Sequence, residues 1–288
     1  MQKITFVNSN GDSMTFGNGF PYYLKELHGV SSAITNVQNS QGYQQDGATY
    51  IDNQLTERTI TFDVGLRQPT QAEVYTLRRA LIKHFNPKLG EGWLTYENDS
   101  IKFKIKAVSQ SGGDFDFTAG KNNYLGYQWA SLTMIASDPL FQDYASTTIK
   151  MEDLVGGLTF PIKFPIKFAH KGDHAFITIT GDVPAPVLIE FRGPAETPTI
   201  TQVTTEKLIT VAITLLENEK LWINTQKGNK TVIFEDADGV QTSAFNDIDA
   251  DSDFDDFSLI VGENEIAFSA VSGSPAVYIT YSNRWVGC

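Results

Sequence analysis

Apolar and polar residues alternate along much of the first half of this chain. In residues 101–107, Ile101, Phe103, Ile105 and Ala107 fall on one side and Lys102, Lys104 and Lys106 on the other. A two-residue period fits a strand with one buried and one wet face. Residues 93–97 precede it across Asn98-Asp99-Ser100, so the two segments are expected to form a hairpin. In 58–64, Ile60, Phe62 and Val64 read as the apolar side, opposite the polar Arg58, Thr59, Thr61 and Asp63.

Between these strands the period changes to that of a helix. Val74, Leu77, Leu81 and Phe85 recur at helical spacing and predict a helix over about 70–85 whose apolar stripe packs on a sheet. Thr70 and Glu73 form a capping-box pair, each side chain able to satisfy a free N–H at the helix start. Arg78, Arg79 and Lys83 lie toward the end that favours cations, and Asn86-Pro87 closes the element.

The character changes at residues 160–168, where Phe-Pro-Ile-Lys is followed at once by Phe-Pro-Ile-Lys-Phe. Prolines at this spacing exclude a helix interior and push Phe160 and Phe164 toward extended backbone. The segment reads as a partly buried apolar ribbon joining two packed units, 1–148 and 149–288. After it only strand signals remain, at 175–180, 187–191, 208–213, 221–224, 231–234, 256–260, 265–270 and 276–281. Turn residues separate them, which indicates a sandwich or jelly roll. The expected class is mainly β: an α+β unit with one long helix, then an all-β unit.

Composition sharpens this picture in few places. At 288 residues with 41% hydrophobic, the chain can bury a core in each of two domains. No window approaches a membrane span, and residues 1–6 show neither an apolar run nor a cleavage pattern, so no signal peptide is expected. Cys288 is the single cysteine, which leaves no intrachain disulfide and suits synthesis in a reducing compartment. A formal charge of −12 argues against an unspecific nucleic-acid binder, which needs a basic face, and suits solubility.

No catalytic constellation emerges, and no cofactor is expected. His170, Asp173 and His174 give two ligand types in a loop with no third ligand at a recognisable offset. No serine lies in Gly-x-Ser-x-Gly, and Cys288 has no evident activating pocket. Gly228-Asn229-Lys230-Thr231 lacks the first glycine of a phosphate loop and reads as a turn. The acidic run from Asp247 through Asp249, Asp251, Asp253 and Asp255 to Asp256 resembles a calcium loop in its alternation. Ser252 stands where an EF-hand needs glycine, and Ser258 where it needs the closing Glu, so an exposed acidic loop is the commoner outcome.

The order of motifs along the chain points further. Phe20-Pro21-Tyr22-Tyr23-Leu24 leads to His28-Gly29-Val30; Asp46-Gly47-Ala48 precedes Arg58-Thr59-Ile60-Thr61-Phe62; then come Arg78-Arg79-Ala80-Leu81, Asn86-Pro87 and Ser137-Asp138-Pro139-Leu140-Phe141. The second half adds the Phe-Pro ribbon, Ile179-Thr180-Gly181-Asp182 and Pro184-Ala185-Pro186. Gly193-Pro194, Thr197-Pro198-Thr199-Ile200, Glu219-Lys220-Leu221-Trp222-Ile223-Asn224-Thr225 and Gly262-Glu263-Asn264 follow. In this order they resemble the distal tail proteins of siphophages and prophages of Gram-positive bacteria.

The resemblance implies a non-enzymatic, structural role. It implies a hexameric ring at the tail tip, possibly stacked, that joins the tail-tube protein to a tail-associated fibre or hub protein and surrounds the DNA exit channel. It implies ring contacts in the N-terminal domain, a galectin-like or jelly-roll C-terminal domain that projects outward, and a receptor-binding protein among the possible partners. The expected location is the virion tail tip, after assembly in the host cytoplasm, without membrane insertion. Residues 42–53, rich in turn formers, are a candidate ribbon to reach a neighbouring subunit. The competing reading is a carbohydrate-binding module for the host cell wall, with Trp222, Tyr278, Tyr281 and Trp285 as its aromatics.

Overall fold

The structure, a computed structural model, describes residues 2–116, 122, 125–151, 154–155, 170–171 and 174–288, with backbone alone at 154–155 and 170–171. The chain divides into two compact units, Met1–Tyr144 with Trp285–Cys288, and Ala145–Arg284. The last four residues return to the first unit. The Phe-Pro ribbon and Asp173 lie outside the described residues.

The first unit contains β1 (Lys3–Val7), β2 (Ser13–Phe16), β3 (Tyr22–His28), β4 (Thr35–Ser40), β5 (Thr49–Leu55) and β6 (Arg58–Arg67). Helix α1 (Gln71–His84) follows, then β7 (Glu91–Glu97), β8 (Lys102–Ser109), β9 (Tyr127–Ala136) and β10 (Phe141–Asp143). The main sheet runs β2-β1-β7-β8-β9-β6-β3, with β10 beside β8. It curls back on itself, because Gly17 bridges Tyr23 and accepts the Leu24 N–H at 2.7 Å. The expected hairpin is β7–β8, with Glu97 opposite Lys102 and Leu94 opposite Ile105.

The inner face collects Ile4, Phe6, Phe16, Phe62, Leu94, Ile105 and Leu132, all essentially buried. Helix α1 closes this core with Val74, Leu81 and the capping Phe85. Its capping box is complete: Thr70 Oγ1 accepts the Glu73 N–H at 3.4 Å, and Glu73 Oε2 accepts the Thr70 N–H at 3.1 Å. His84, in the last turn, is buried among Phe6 and Phe85, its Nε2 3.0 Å from the Phe6 carbonyl oxygen. Burial holds its pKa below the ordinary imidazole value.

Arg58 corrects the expected alternation. It is 2% exposed and points inward with Ile60, Phe62 and Val64 rather than toward solvent. Its guanidinium donates to three carbonyls: Pro139 O at 2.7 Å, Gly29 O at 2.8 Å and Val286 O at 2.5 Å. It also lies over the Phe141 ring. A buried guanidinium persists only where its donors are satisfied, and this one ties β3, β10 and the returning chain to β6. Beside it Trp285 stacks on Phe103 and donates to Asp143 Oδ1 at 2.8 Å.

The second unit is a β-sandwich. Its six-stranded sheet has the order Thr147–Lys150, Ala276–Tyr281, Val187–Arg192, Lys220–Asn224, Thr231–Glu235 and Gln241–Ser243. The four-stranded sheet has the order His174–Ile179, Gly262–Ser269, Thr199–Gln202 and Lys207–Thr210. Ile189, Phe191, Ile223 and Ile279 from the first sheet share one core with Ile177, Ile200, Ile209 and Ile266 from the second. Among the described residues α1 is the one α-helix of the chain.

The strands of this unit differ in places from those expected. Residues 256–260 make no named strand; Leu259 bridges Ala185, and Phe257 and Leu259 are buried from a loop. Thr199–Gln202, a strand without an expectation, pairs with both Lys207–Thr210 and Gly262–Ser269.

Candidate assembly surfaces

Among the described residues strands β4 and β5 pair only with each other, across a bulge at Gln38/Asn39. Every residue from 34 to 55 is exposed, on both faces of the hairpin. Tyr43 at its tip is 95% exposed, and Ile34, Val37, Tyr50 and Ile51 are each at least half exposed. The tip is nonetheless ordered by its own polar groups. Gln45 Oε1 accepts the Gly42 N–H at 2.9 Å, and the Gln41 amide donates to the Gln45 carbonyl at 2.9 Å. The arm contains Asp46 and Asp52 and neither Lys nor Arg.

The root of the arm is fixed by the first unit. Thr56 donates its N–H to the Ile34 carbonyl at 3.0 Å, closing the hairpin base. Gly29, at φ +85°, lies so near the Thr59 carbonyl that an added Cβ would sit 2.1 Å from it, so the turn into the arm requires glycine. Arg58 holds the Gly29 carbonyl, and the Cys288 N–H donates to Val30 O at 3.0 Å. Burial pushes the Cys288 thiol up to about 12, so it is a packed, protonated group rather than a nucleophile.

At the other end of β3 and β6 lies an aromatic platform. Tyr23, Gly65 and Trp129 are register partners across β3, β6 and β9, and Arg67 pairs with Tyr127. Gly65 lets the rings descend onto the sheet, since a Cβ there would lie 2.8 Å from the Tyr127 hydroxyl and 3.0 Å from Trp129. Tyr127 and Trp129 meet edge to face at 4.8 Å, Lys25 stands over Trp129, and Arg67 stands over Phe20 at 5.2 Å. Desolvation, with Tyr23 beside it, pushes the Tyr127 phenol up to about 12 and keeps it neutral. Phe20, Arg67, Leu125 and Tyr127 help line an open cleft of about 450 Å³. Leu125 is 90% exposed and Phe20 51%.

The residues weighed for chemistry do not converge. His174 Nδ1 lies 2.7 Å from Glu265 Oε1 on the neighbouring strand, while the His170 side chain and Asp173 are outside the described residues. Gly228-Asn229-Lys230-Thr231 turns between two antiparallel strands, and Lys230 Nζ donates to Asp255 Oδ1 at 2.6 Å. The acidic run is stitched to the edge strand Lys207–Thr210: Asp253 N–H donates to Leu208 O, Asp249 N–H to Thr210 O, and Phe254 is buried beneath. Among the described residues no group of three His, Cys, Asp or Glu side chains is placed to hold a metal ion.

The four aromatics of the carbohydrate reading do not all share one surface. Trp222 and Tyr278 flank Glu190 in register, and Arg192 stands over Tyr278 at 4.3 Å. Tyr281 packs toward the core, and Trp285 belongs to the first unit. The arm's neighbourhood was legible as a turn-rich ribbon. The platform was not, because its aromatics come from β9 and from β3 with the residues before it, far apart in sequence, and nothing in the sequence announces that they share a face.

Comparison with known proteins places this architecture. Residues 9–136 match the phage tail protein RIFT-related domain, and residues 180–285 match the C-terminal domain of the siphovirus-type tail component. No curated protein matches the chain in sequence. Among solved structures, the SPP1 Dit (gp 19.1) protein, described as a paradigm of the hub adsorption apparatus in phages infecting Gram-positive bacteria, is similar with a TM-score of 0.66. It is 12% identical, and the match covers 99% of both chains. A chain of the phage P2 baseplate in its activated conformation with Ca is similar with a TM-score of 0.58 and 13% identity, over 98% of this chain and 97% of that one. No helix among the described residues is long and apolar enough to cross a membrane. The two domain matches, in sequence order and over both units, show that the chain belongs to the siphophage distal tail proteins and is a structural component of the phage tail.

Proposed function

We propose that six copies of this chain close into a ring at the tail tip, with the first unit making the ring contacts around the DNA exit channel and the second carried outward. In this reading the ring, assembled in the host cytoplasm, joins the tail-tube protein to a tail-associated fibre or hub protein. A receptor-binding protein is a further partner for the outer unit, and no step of the reading is enzymatic.

The observation that carries it is the arm. A two-stranded hairpin is marginal in water unless a face is covered, and this one offers exposed Ile, Val and Tyr on both faces with none of the described residues covering them. Such apolar surface is stabilised by burial on another molecule. Charge supports the division of labour. The first unit has 12 Lys and Arg against 14 Asp and Glu, the second 10 against 20. Near-neutral surfaces associate more readily than like-charged ones, and an acidic outer unit suits solvent.

The test is the mass of three proteins by light scattering, with electron microscopy for symmetry, alone and with tail tubes. They are the full chain, a variant with residues 36–54 replaced by a short turn, and one with residues 145–284 replaced by a short linker. The last keeps Trp285–Cys288, which the first unit needs. Rings are expected from the full chain and the linker variant, and monomers from the armless one. Rings without the arm, or no ring from the full chain under either condition, would overturn the proposal.

A further inference from the structure

Resting on that ring reading, we infer that the aromatic platform at the Arg67 end of β6 is the surface that receives the β4–β5 arm of a second copy of this chain. A ring is built from heterologous contacts, in which two different surfaces of each subunit meet. The first unit places two such surfaces at opposite ends of one strand pair. The arm springs from the end of β3 and the start of β6, at His28 and Arg58, and the platform lies where β3 starts and β6 ends, at Tyr22 and Arg67. Ten residues of β6 separate the two by roughly 30 Å. Donor and acceptor on opposite ends repeat head to tail, whereas a patch that met itself would stop at a dimer.

The chemistry of the two surfaces is complementary. The arm carries Asp46 and Asp52 with exposed tyrosines and no cation. The platform carries Arg67, which stands over Phe20, beside an open cleft and the exposed Leu125. Lys25 adds less charge, because Glu26 pairs with it at 3.0 Å. Arg67 offers guanidinium donors to an aspartate and a flat face to a tyrosine ring. The cleft and Leu125 offer apolar area to Tyr43 or Tyr50. Like-charged docking of this acidic chain elsewhere on itself would be repelled.

Cysteine crosslinking of the full chain decides it. Tyr43→Cys and Leu125→Cys are both at exposed positions, and the native Cys288, half-buried, is replaced by serine in every variant so that it adds no crosslink of its own. With a short bismaleimide, the double variant is expected to give a ladder beyond the dimer. A mixture of the two single variants should stop at dimers. Arg67→Glu should lower the ladder yield at least tenfold, and adding Asp52→Lys on the arm should restore it. Rings by electron microscopy with no ladder would overturn the acceptor surface and leave the ring reading standing. No ring and no ladder would overturn both. Dimers from Tyr43→Cys alone would show arms pairing with arms and would also overturn it.

Discussion

Two hairpins of the first unit, β7–β8 and β4–β5, have similar lengths and opposite fates. In β7–β8, Leu94, Tyr96, Ile105 and Ala107 are buried, and on the opposite face Lys102 and Lys106 are exposed and Lys104 half-buried. In β4–β5 the apolar residues fall on both faces, and all are exposed. Both hairpins pair strand to strand along their length, so the ladder within each hairpin does not separate them. What separates them is where the partner for the side chains lies. A hairpin that packs on its own domain has a side-chain period of two written into it. A hairpin without an intramolecular face has no such constraint, and its loss of alternation marks the protein's outward-facing element.

That contrast can be broken at its root. Arg58→Leu removes the donors to three carbonyls that join the arm's base, β10 and the returning chain. The first unit is expected to lose roughly 4 kcal/mol, because several charge-assisted hydrogen bonds go and their acceptors stay partly buried. Calorimetry should show its transition lowered and that of the sandwich unit unchanged. Ile105→Ala, on the buried face of β8, is expected to cost roughly 3 kcal/mol in denaturant melts.

Acid sharpens the comparison from the buried side. The native His84 titrates below its ordinary value of 6.5 because burial disfavours the imidazolium. In the window between that lowered value and 6.5 the unfolded chain binds the extra proton, so stability is present above 6.5 and is lost as pH falls. Denaturant melts of the first unit from pH 8 to 5 should show this slope, and His84→Gln should flatten it. Glu73→Ala, which halves the capping box, is expected to cost about 1 kcal/mol. Ile51→Ala, on the arm, should change stability by less than about 0.5 kcal/mol while lowering assembly. A large melting shift there would mean that the arm belongs to its own domain after all.

The sequence was legible where one chain supplies both sides of a contact. The stripe Val74, Leu77, Leu81 and Phe85 and the Thr70–Glu73 pair are local, and each appears as expected. Arg58 misled because its charge outweighed its parity: it shares even numbering with Ile60, Phe62 and Val64, and that alternation places it inside. Phe257 and Leu259 misled in the opposite sense, since their spacing imitates a strand while a loop buries them. The platform was illegible because Tyr23, Gly65 and Trp129 become neighbours only through strand register. The union of both domain matches in one chain order made the family readable even where no single motif was strong.

The return of Trp285–Cys288 to the first unit puts a clock on the nascent chain. Residues 1–144 leave the ribosome early, yet the carbonyl of Val286 that Arg58 requires and the N–H of Cys288 that holds Val30 arrive only after the whole of 145–284 has been translated. At bacterial elongation speeds that delay is roughly 7–28 s. During it the guanidinium of Arg58 lacks one acceptor, and the turn that launches the arm is untethered on one side. A truncated chain, released before its final segment, never gains that tether. Translation order therefore sets the sequence of events: the turn that launches the arm gains its last tether only after the second unit has been made.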